Sequence, residues 1–281
     1  MRTGKKAFTL VELLVVISII ALLLAVLIPA LSRAKLLAER VVCSGREKDA
    51  ATGFLAYAAG IGNGRLPIGQ MGRNTAGTNI EDETIYLQGR KWSLLSHFAV
   101  ERWINLKTYI KEGRTLICPA YAKTTDCTSD PNYDGTGPWM PKRATWRAVK
   151  FGYNYHGGHF AEKWTVVNPS INSWKSPYRM TDSGSLPLLS DFANEFSSAA
   201  GAPFISHGNS GPKKGKYPEL LSTIASRGGS NIACLDGSVR WKPIREMKKY
   251  YRGKNFAVEV RNIVQPIEDG TGGRYYPYGY W

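Results

Sequence analysis

The sequence predicts an α+β protein: one long N-terminal helix, its first half fit to cross a membrane, packed by its second half on a domain with an antiparallel sheet. Three observations predict it. From Phe8 to Ile28 only Thr9, Glu12 and Ser18 are polar. Helical periodicity then continues to about Ala59. Beyond that, short strand-like runs alternate with turn residues, most clearly from Asn231 to Trp241 around Asp236-Gly237.

The first half of the helix is long enough to span a bilayer. A hydrocarbon core of roughly 30 Å needs about 20 residues at about 1.5 Å rise each. Lys5 and Lys6 precede the run and favour a cytoplasmic N-terminus. A cleaved secretory signal has an apolar region of about 7–15 residues and a small-residue cut site. This run is longer, and no A-x-A site follows Ile28. Glu12 is the unusual residue, because a charge in a membrane span costs on the order of a few kcal/mol and generally serves a function. A plain anchor explains the length and the lysines but not Glu12.

Pro29 removes one intrahelical bond and is expected to kink the helix. Ala34, Leu37, Val41 and Val42 then recur at helical spacing, followed by Ala50, Phe54, Leu55, Tyr57 and Ala58. Arg33, Lys35, Glu39, Arg40, Arg46, Glu47 and Lys48 fill the other faces, and Gly60, Gly62, Asn63 and Gly64 end the helix. Residues 60–90 read as loop. Trp92 to Lys111 reads as a second helix, with Leu94, Leu95, Phe98, Trp103, Leu106 and Ile110 on one face. Thr115 to Cys118 reads as a short strand ended by Pro119, and residues 122–147 as a surface loop. Phe151–Tyr155, Trp164–Val167, Leu186–Leu189, Asn231–Leu235 and Ser238–Trp241 are strand candidates.

The formal charge of +15 over 281 residues favours polyanions, with a merely solvated basic surface as the plainer account. The stretch Trp139 to Arg147 alternates aromatic and basic residues, as single-stranded nucleic-acid binding would require, or as a loop packing its own tryptophans would. Cys43, Cys118, Cys127 and Cys234 contain no C-x-x-C pair, which argues against a structural zinc site, and they allow three complete disulfide pairings. Asp191 and Asp236 are candidate oxygen ligands for a hard cation such as calcium. Asp236 with Gly237 equally suits a hairpin turn. No other cofactor is expected.

The segment Lys5-Lys6-Ala7-Phe8-Thr9-Leu10-Val11-Glu12-Leu13-Leu14 resembles the class III signal of type IV prepilins and type II secretion pseudopilins. The resemblance implies cleavage between Ala7 and Phe8 by prepilin peptidase, with N-methylation of Phe8 by the same enzyme. Ala7 stands where the family commonly has Gly. Glu12 falls at the fifth mature position, where the family carries an assembly glutamate, and Pro29 where it often has a kinking proline. The implied organisation is a leader over 1–7, a membrane and filament-core helix over 8–28, its amphipathic continuation over 29–59, and a periplasmic or extracellular domain over 60–281. Removing Arg2, Lys5 and Lys6 leaves the chain strongly basic.

Residues 226–241 are similar to the signature of a pseudopilin-like group named H-X9-DG, for a His, nine residues and Asp-Gly. Ser226 replaces the His and Ser238 follows Gly237. Cys43 with Tyr57-Ala58, Leu116-Ile117-Cys118-Pro119 and Leu188-Leu189-Ser190-Asp191 lie in further islands shared with the group. That likeness, with an oxidising compartment, makes Cys43–Cys118 the expected disulfide.

No G-x-S-x-G, H-E-x-x-H or Walker A sequence occurs, so an enzyme is not expected. His156-Gly157-Gly158-His159 reads as a surface loop, and His97 and His207 as solvated. The expected function is a structural filament subunit of the inner membrane, later of a periplasmic or surface filament. Its partners are prepilin peptidase and other pilin subunits. A filament subunit that binds DNA or another polyanion, and a non-polymerising periplasmic anchor, are the alternatives.

Overall fold

The computed structural model describes residues 9–67, 72–73, 79–80, 97–99, 105–124, 137, 148–158, 177–196, 204–208, 211–215, 228–247, 249–251, 267–268, 274–275 and 277–280. Helix α1 runs Leu10–Ala59 and is continuous through Pro29. Its N-terminus is closed by a capping box. The Glu12 amide donates to Thr9 Oγ1 (3.2 Å), and the Thr9 amide donates to Glu12 Oε2 (2.8 Å). At the other end, Gly62 and Gly64 donate to the Tyr57 and Ala58 carbonyls, at 2.9 and 2.7 Å. Asn63 and Gly64 take the positive φ values (+48° and +78°) that turn the chain away.

The two halves of α1 differ. From Leu10 to Leu31 every large apolar side chain is exposed. Each gains on the order of 1.5–3 kcal/mol on leaving water, so this half is comfortable only in lipid or against other helices. In the second half Cys43, Glu47, Ala50, Ala51, Gly53, Phe54, Tyr57 and Ala58 form one buried face. Small residues in its middle let the chain around Ile110 approach the helix backbone closely. A Cβ on Gly53 would lie 2.3 Å from Ile110 Cγ1.

The strands, in chain order, are β1 (Gly72–Arg73), β2 (Asn79–Ile80), β3 (His97–Ala99), β4 (Ala148–Lys150), β5 (Asn154–Tyr155), β6 (Pro187–Ser190), β7 (Ala193–Phe196), β8 (Phe204–Gly208), β9 (Gly211–Lys214), β10 (Gly229–Cys234), β11 (Val239–Pro243), β12 (Lys249–Tyr251), β13 (Ile267–Glu268), β14 (Arg274–Tyr275) and β15 (Pro277–Tyr280). Nine of them form one sheet in the order β12-β15-β7-β8-β10-β6-β5, with β11 also on β10 and β9 on β8. Among the described residues, every strand pair of this sheet is antiparallel. Strand β10 is buried along its whole length, and α1 lies across it, β6 and β11. Phe54 of α1 stacks on Tyr155 of β5 with centroids 4.5 Å apart. Arg40 covers the Trp241 ring at 3.8 Å.

The long helix, the antiparallel sheet and the hairpin at Asp236-Gly237 agree with the sequence-based expectation. The Ser238 amide donates to Asp236 Oδ1 (2.9 Å), and Gly237 has φ +79°. Two expectations are corrected. The stretch expected as a helix from Trp92 to Lys111 holds strand β3, paired with β4, and a helical turn only at 105–107 among its described residues. A short apolar run fits either period, and pairing with a distant partner decides it. Thr115–Cys118 is not a strand. Gly113–Leu116 is a 3-10 helix, held because the Glu112 carbonyl accepts from both the Thr115 amide (3.1 Å) and its hydroxyl (2.8 Å). Ile117 then makes a single parallel bridge to Gly152. A Cβ at Gly152 would lie 2.7 Å from Ile117 Cα, so glycine lets the segment carrying Cys118 approach. The Trp164–Val167 run and the aromatic-basic stretch 139–147 lie outside the described residues, as do Ala7, Phe8, Cys127 and Ser226.

Candidate functional site

Two places among the described residues carry chemistry. The first is the start of α1. Glu12 Oε2 accepts from the Thr9 amide (2.8 Å) and the Thr9 hydroxyl (2.7 Å). Within one subunit the carboxylate therefore closes its own helix end.

The second place lies under α1, where four elements converge. Cys43 comes from the buried face of α1. Cys118 follows the 3-10 helix Gly113–Leu116, in the segment that bridges to Gly152. Asp191 occupies the short link between β6 and β7, and His207 lies on β8. All four are buried, and one ligand atom from each lies within 4.8 Å of every other. Cys43 Sγ donates to Asp191 Oδ1 (2.8 Å). His207 Nε2 is 3.2 Å from Asp191 Oδ2 and 3.4 Å from Cys118 Sγ. The Tyr153 hydroxyl is 3.4 Å from Cys43 Sγ. Asn231 on β10 orients the carboxylate, its amide and its side-chain Nδ2 donating to Asp191 Oδ2 at 2.9 and 3.1 Å. The same Nδ2 reaches the Arg40 carbonyl of α1 (3.2 Å).

The electrostatics follow from burial opposed by pairing. Burial alone would lower the His207 pKa, but the Asp191 carboxylate beside it outweighs this and pushes it up to about 11. Burial would raise Asp191. The His207 cation and the bonds from Cys43 and Asn231 hold it below its usual range instead. Burial, with Cys118 and Asp191 nearby, pushes the Cys43 thiol up. Cys118 is held below the usual thiol value, the bond to Cys43 and His207 together outweighing its burial. Glu47, one helical turn beyond Cys43, is fully buried, with the Ala233 backbone amide beside it but no donor in full hydrogen-bond geometry on either oxygen. Burial, then Asp191 and Cys118, push its pKa well above 4.5.

These shifts predict a pH dependence. Glu47 and His207 hold protons in the folded chain that the unfolded chain releases above about 4.5 and about 6.5 respectively. Their raised values stabilise the fold fully below those unfolded values, and the contribution is lost as pH rises toward the folded ones. The protein is therefore expected to lose stability as pH rises from 4.5. Each group adds a slope of at most about 1.4 kcal/mol per pH unit. Glu47→Gln is expected to flatten the acidic part of that fall, read as melting temperature against pH.

Asp191, Cys43 and Cys118, singled out from sequence, are thus brought together, and both thiols are free. Asp236 is exposed on the β10–β11 turn, away from the buried Asp191. Two expectations about histidine are corrected. His207 is buried on a strand instead of solvated in a loop, because Asp191 and Cys118 supply its partners. His156 is fully buried, its Nε2 2.8 Å from Ser190 Oγ, instead of lying on a surface loop. Glu47 also went unrecognised. Its signal was present: Cys43, Glu47, Ala50 and Phe54 follow the 4-3-4 spacing of one helix face.

Comparison with known families bears on the first site. A family described as the prokaryotic N-terminal methylation motif matches residues 2–28. The N-terminus is pilin-like. The match coincides with the exposed apolar half of α1, whose composition suits a membrane span. Together they support a membrane-anchored, type IV pilin-like protein. No curated protein and no solved structure matches the chain.

Proposed function

We propose that this protein is a structural subunit, a pseudopilin or minor pilin, of a type II secretion or type IV pilus-like filament. Prepilin peptidase cuts between Ala7 and Phe8 and methylates Phe8. The subunit waits in the inner membrane with its N-terminus cytoplasmic and residues 60–281 periplasmic, then joins the filament through α1. The observation that carries this reading is the methylation motif over residues 2–28 laid on a helix that is exposed and apolar in its first half and packed in its second. Such a helix presents a membrane with an anchor and neighbouring subunits with a core.

Glu12 supplies the register. Cleavage leaves a charged amine on Phe8, and in low dielectric that amine attracts a neighbour's carboxylate strongly. An unpaired charge is costly there, which favours one axial alignment. The role is structural instead of catalytic. The test is fractionation of cells that carry the cognate system. The protein is expected to co-sediment with sheared or crosslinked filaments. Recovery only as a membrane-bound monomer would instead favour the non-polymerising anchor.

A further inference from the structure

We propose that Cys43, Cys118, Asp191 and His207 bind one divalent metal ion of the zinc class in a closed tetrahedral site that fastens α1 to the sheet. Ligand type selects the metal. Two sulfurs, one imidazole nitrogen and one carboxylate oxygen suit a borderline-soft ion, whereas calcium and magnesium want six or more oxygens. Four protein ligands leave no open position, which is the pattern of a structural site.

The spacing fits. Around tetrahedral zinc, sulfur–nitrogen and nitrogen–oxygen edges are about 3.6 and 3.3 Å, from bonds of about 2.3 Å to sulfur and 2.0–2.1 Å to nitrogen and oxygen. The Cys118–His207 and His207–Asp191 separations are 3.4 and 3.2 Å. Cys43 Sγ lies 2.8 Å from the other carboxylate oxygen, Oδ1, so Asp191 must turn for one oxygen to serve both edges, and the sulfur–oxygen edge must open to about 3.5 Å. Ligand support is already in place. Asn231 fixes the Asp191 carboxylate with two bonds, and the Tyr153 hydroxyl lies against Cys43 Sγ.

A further buried acid adjoins the cluster. Glu47 is fully buried one turn from Cys43, near these same groups, with the Ala233 backbone amide beside it but no donor in full hydrogen-bond geometry on either oxygen. The ligands come from α1, the segment after a 3-10 helix, the β6–β7 link and β8, so no two are near neighbours in sequence. The ion would join the helix that bears filament load to the domain it carries. On binding, the Cys43 and Cys118 thiol protons and the extra His207 proton leave to solvent.

The test uses the full chain in detergent, reduced and stripped of metal, titrated with Co2+ and then Zn2+. One Co2+ per chain is expected, with intense tetrahedral visible bands and thiolate-to-cobalt charge transfer, displaced by Zn2+. Cys118→Ser should halve the charge transfer, and Asn231→Ala should weaken Co2+ binding by about 10–100-fold. Cys234→Ser should change neither. Should the ligand variants fail to fold, zinc content and thiol state of wild-type protein taken directly from membranes still decide the matter. One zinc per chain with free thiols supports the site. A Cys43–Cys118 disulfide in that native protein, or no charge transfer in reduced wild type, overturns it. Filament incorporation is measured separately, so loss of either proposal leaves the other standing.

Discussion

Glu12→Leu is expected to leave membrane insertion and processing intact and to remove the protein from filaments. The leader, Lys5, Lys6 and the cut at Ala7–Phe8 are untouched, and a leucine only makes the span more apolar. What disappears is the carboxylate that would meet a neighbour's Phe8 amine. The structure adds a complication: Glu12 also completes a capping box with Thr9. Loss of a cap costs about 0.5–2 kcal/mol, and that cost could blur the result. Glu12→Gln separates the two roles, because glutamine serves a capping box as well as glutamate but carries no charge. If the charge sets register, Glu12→Gln assembles as poorly as Glu12→Leu. Glu12→Asp falls between, since its carboxylate reaches less far. Normal incorporation of Glu12→Gln would assign the residue to capping alone. The readout is the fraction of each variant in sheared or crosslinked filaments.

The largest stability effect is expected at Asp191. Asp191→Ala leaves the His207 cation and the Asn231 amide buried without the carboxylate, and Asn231 Nδ2 with the Arg40 carbonyl alone of its two named acceptors. Removing one partner of a buried pair costs about 3–5 kcal/mol. For a domain of this size the melting temperature should fall by roughly 6–20 °C. Asp191→Asn keeps the shape and one acceptor oxygen and should cost less. Near-ultraviolet circular dichroism of the full chain in detergent follows the change. Equal melting of Asp191→Ala and wild type would mean that the cluster contributes nothing to the fold.

The parts of the fold written in local pattern were legible in sequence. The length of α1 follows from its unbroken periodicity, and the β10–β11 turn from Asp236-Gly237. The stretch from Trp92 to Lys111 was not, because β3 exists only through pairing with β4, some fifty residues on. The buried cluster was half legible. Cys43, Cys118 and Asp191 are residue types that attract notice anywhere. His207 sits between Ser206 and Gly208, a polar setting that reads as a loop. Its burial depends on Asp191, Cys118 and β10, none of them close in sequence. Glu47 was hidden for the opposite reason. A charged residue in an otherwise mixed helix is assigned to solvent unless its neighbours at i−4, i+3 and i+7 are weighed together.

The central claim is that this chain is a processed pilin-like subunit, and its N-terminus tests that most directly. Mass spectrometry of the native protein from membranes should find a mature chain beginning at Phe8 with a methylated amine. An intact Met1 leader, or a chain cut after Ile28, would contradict it.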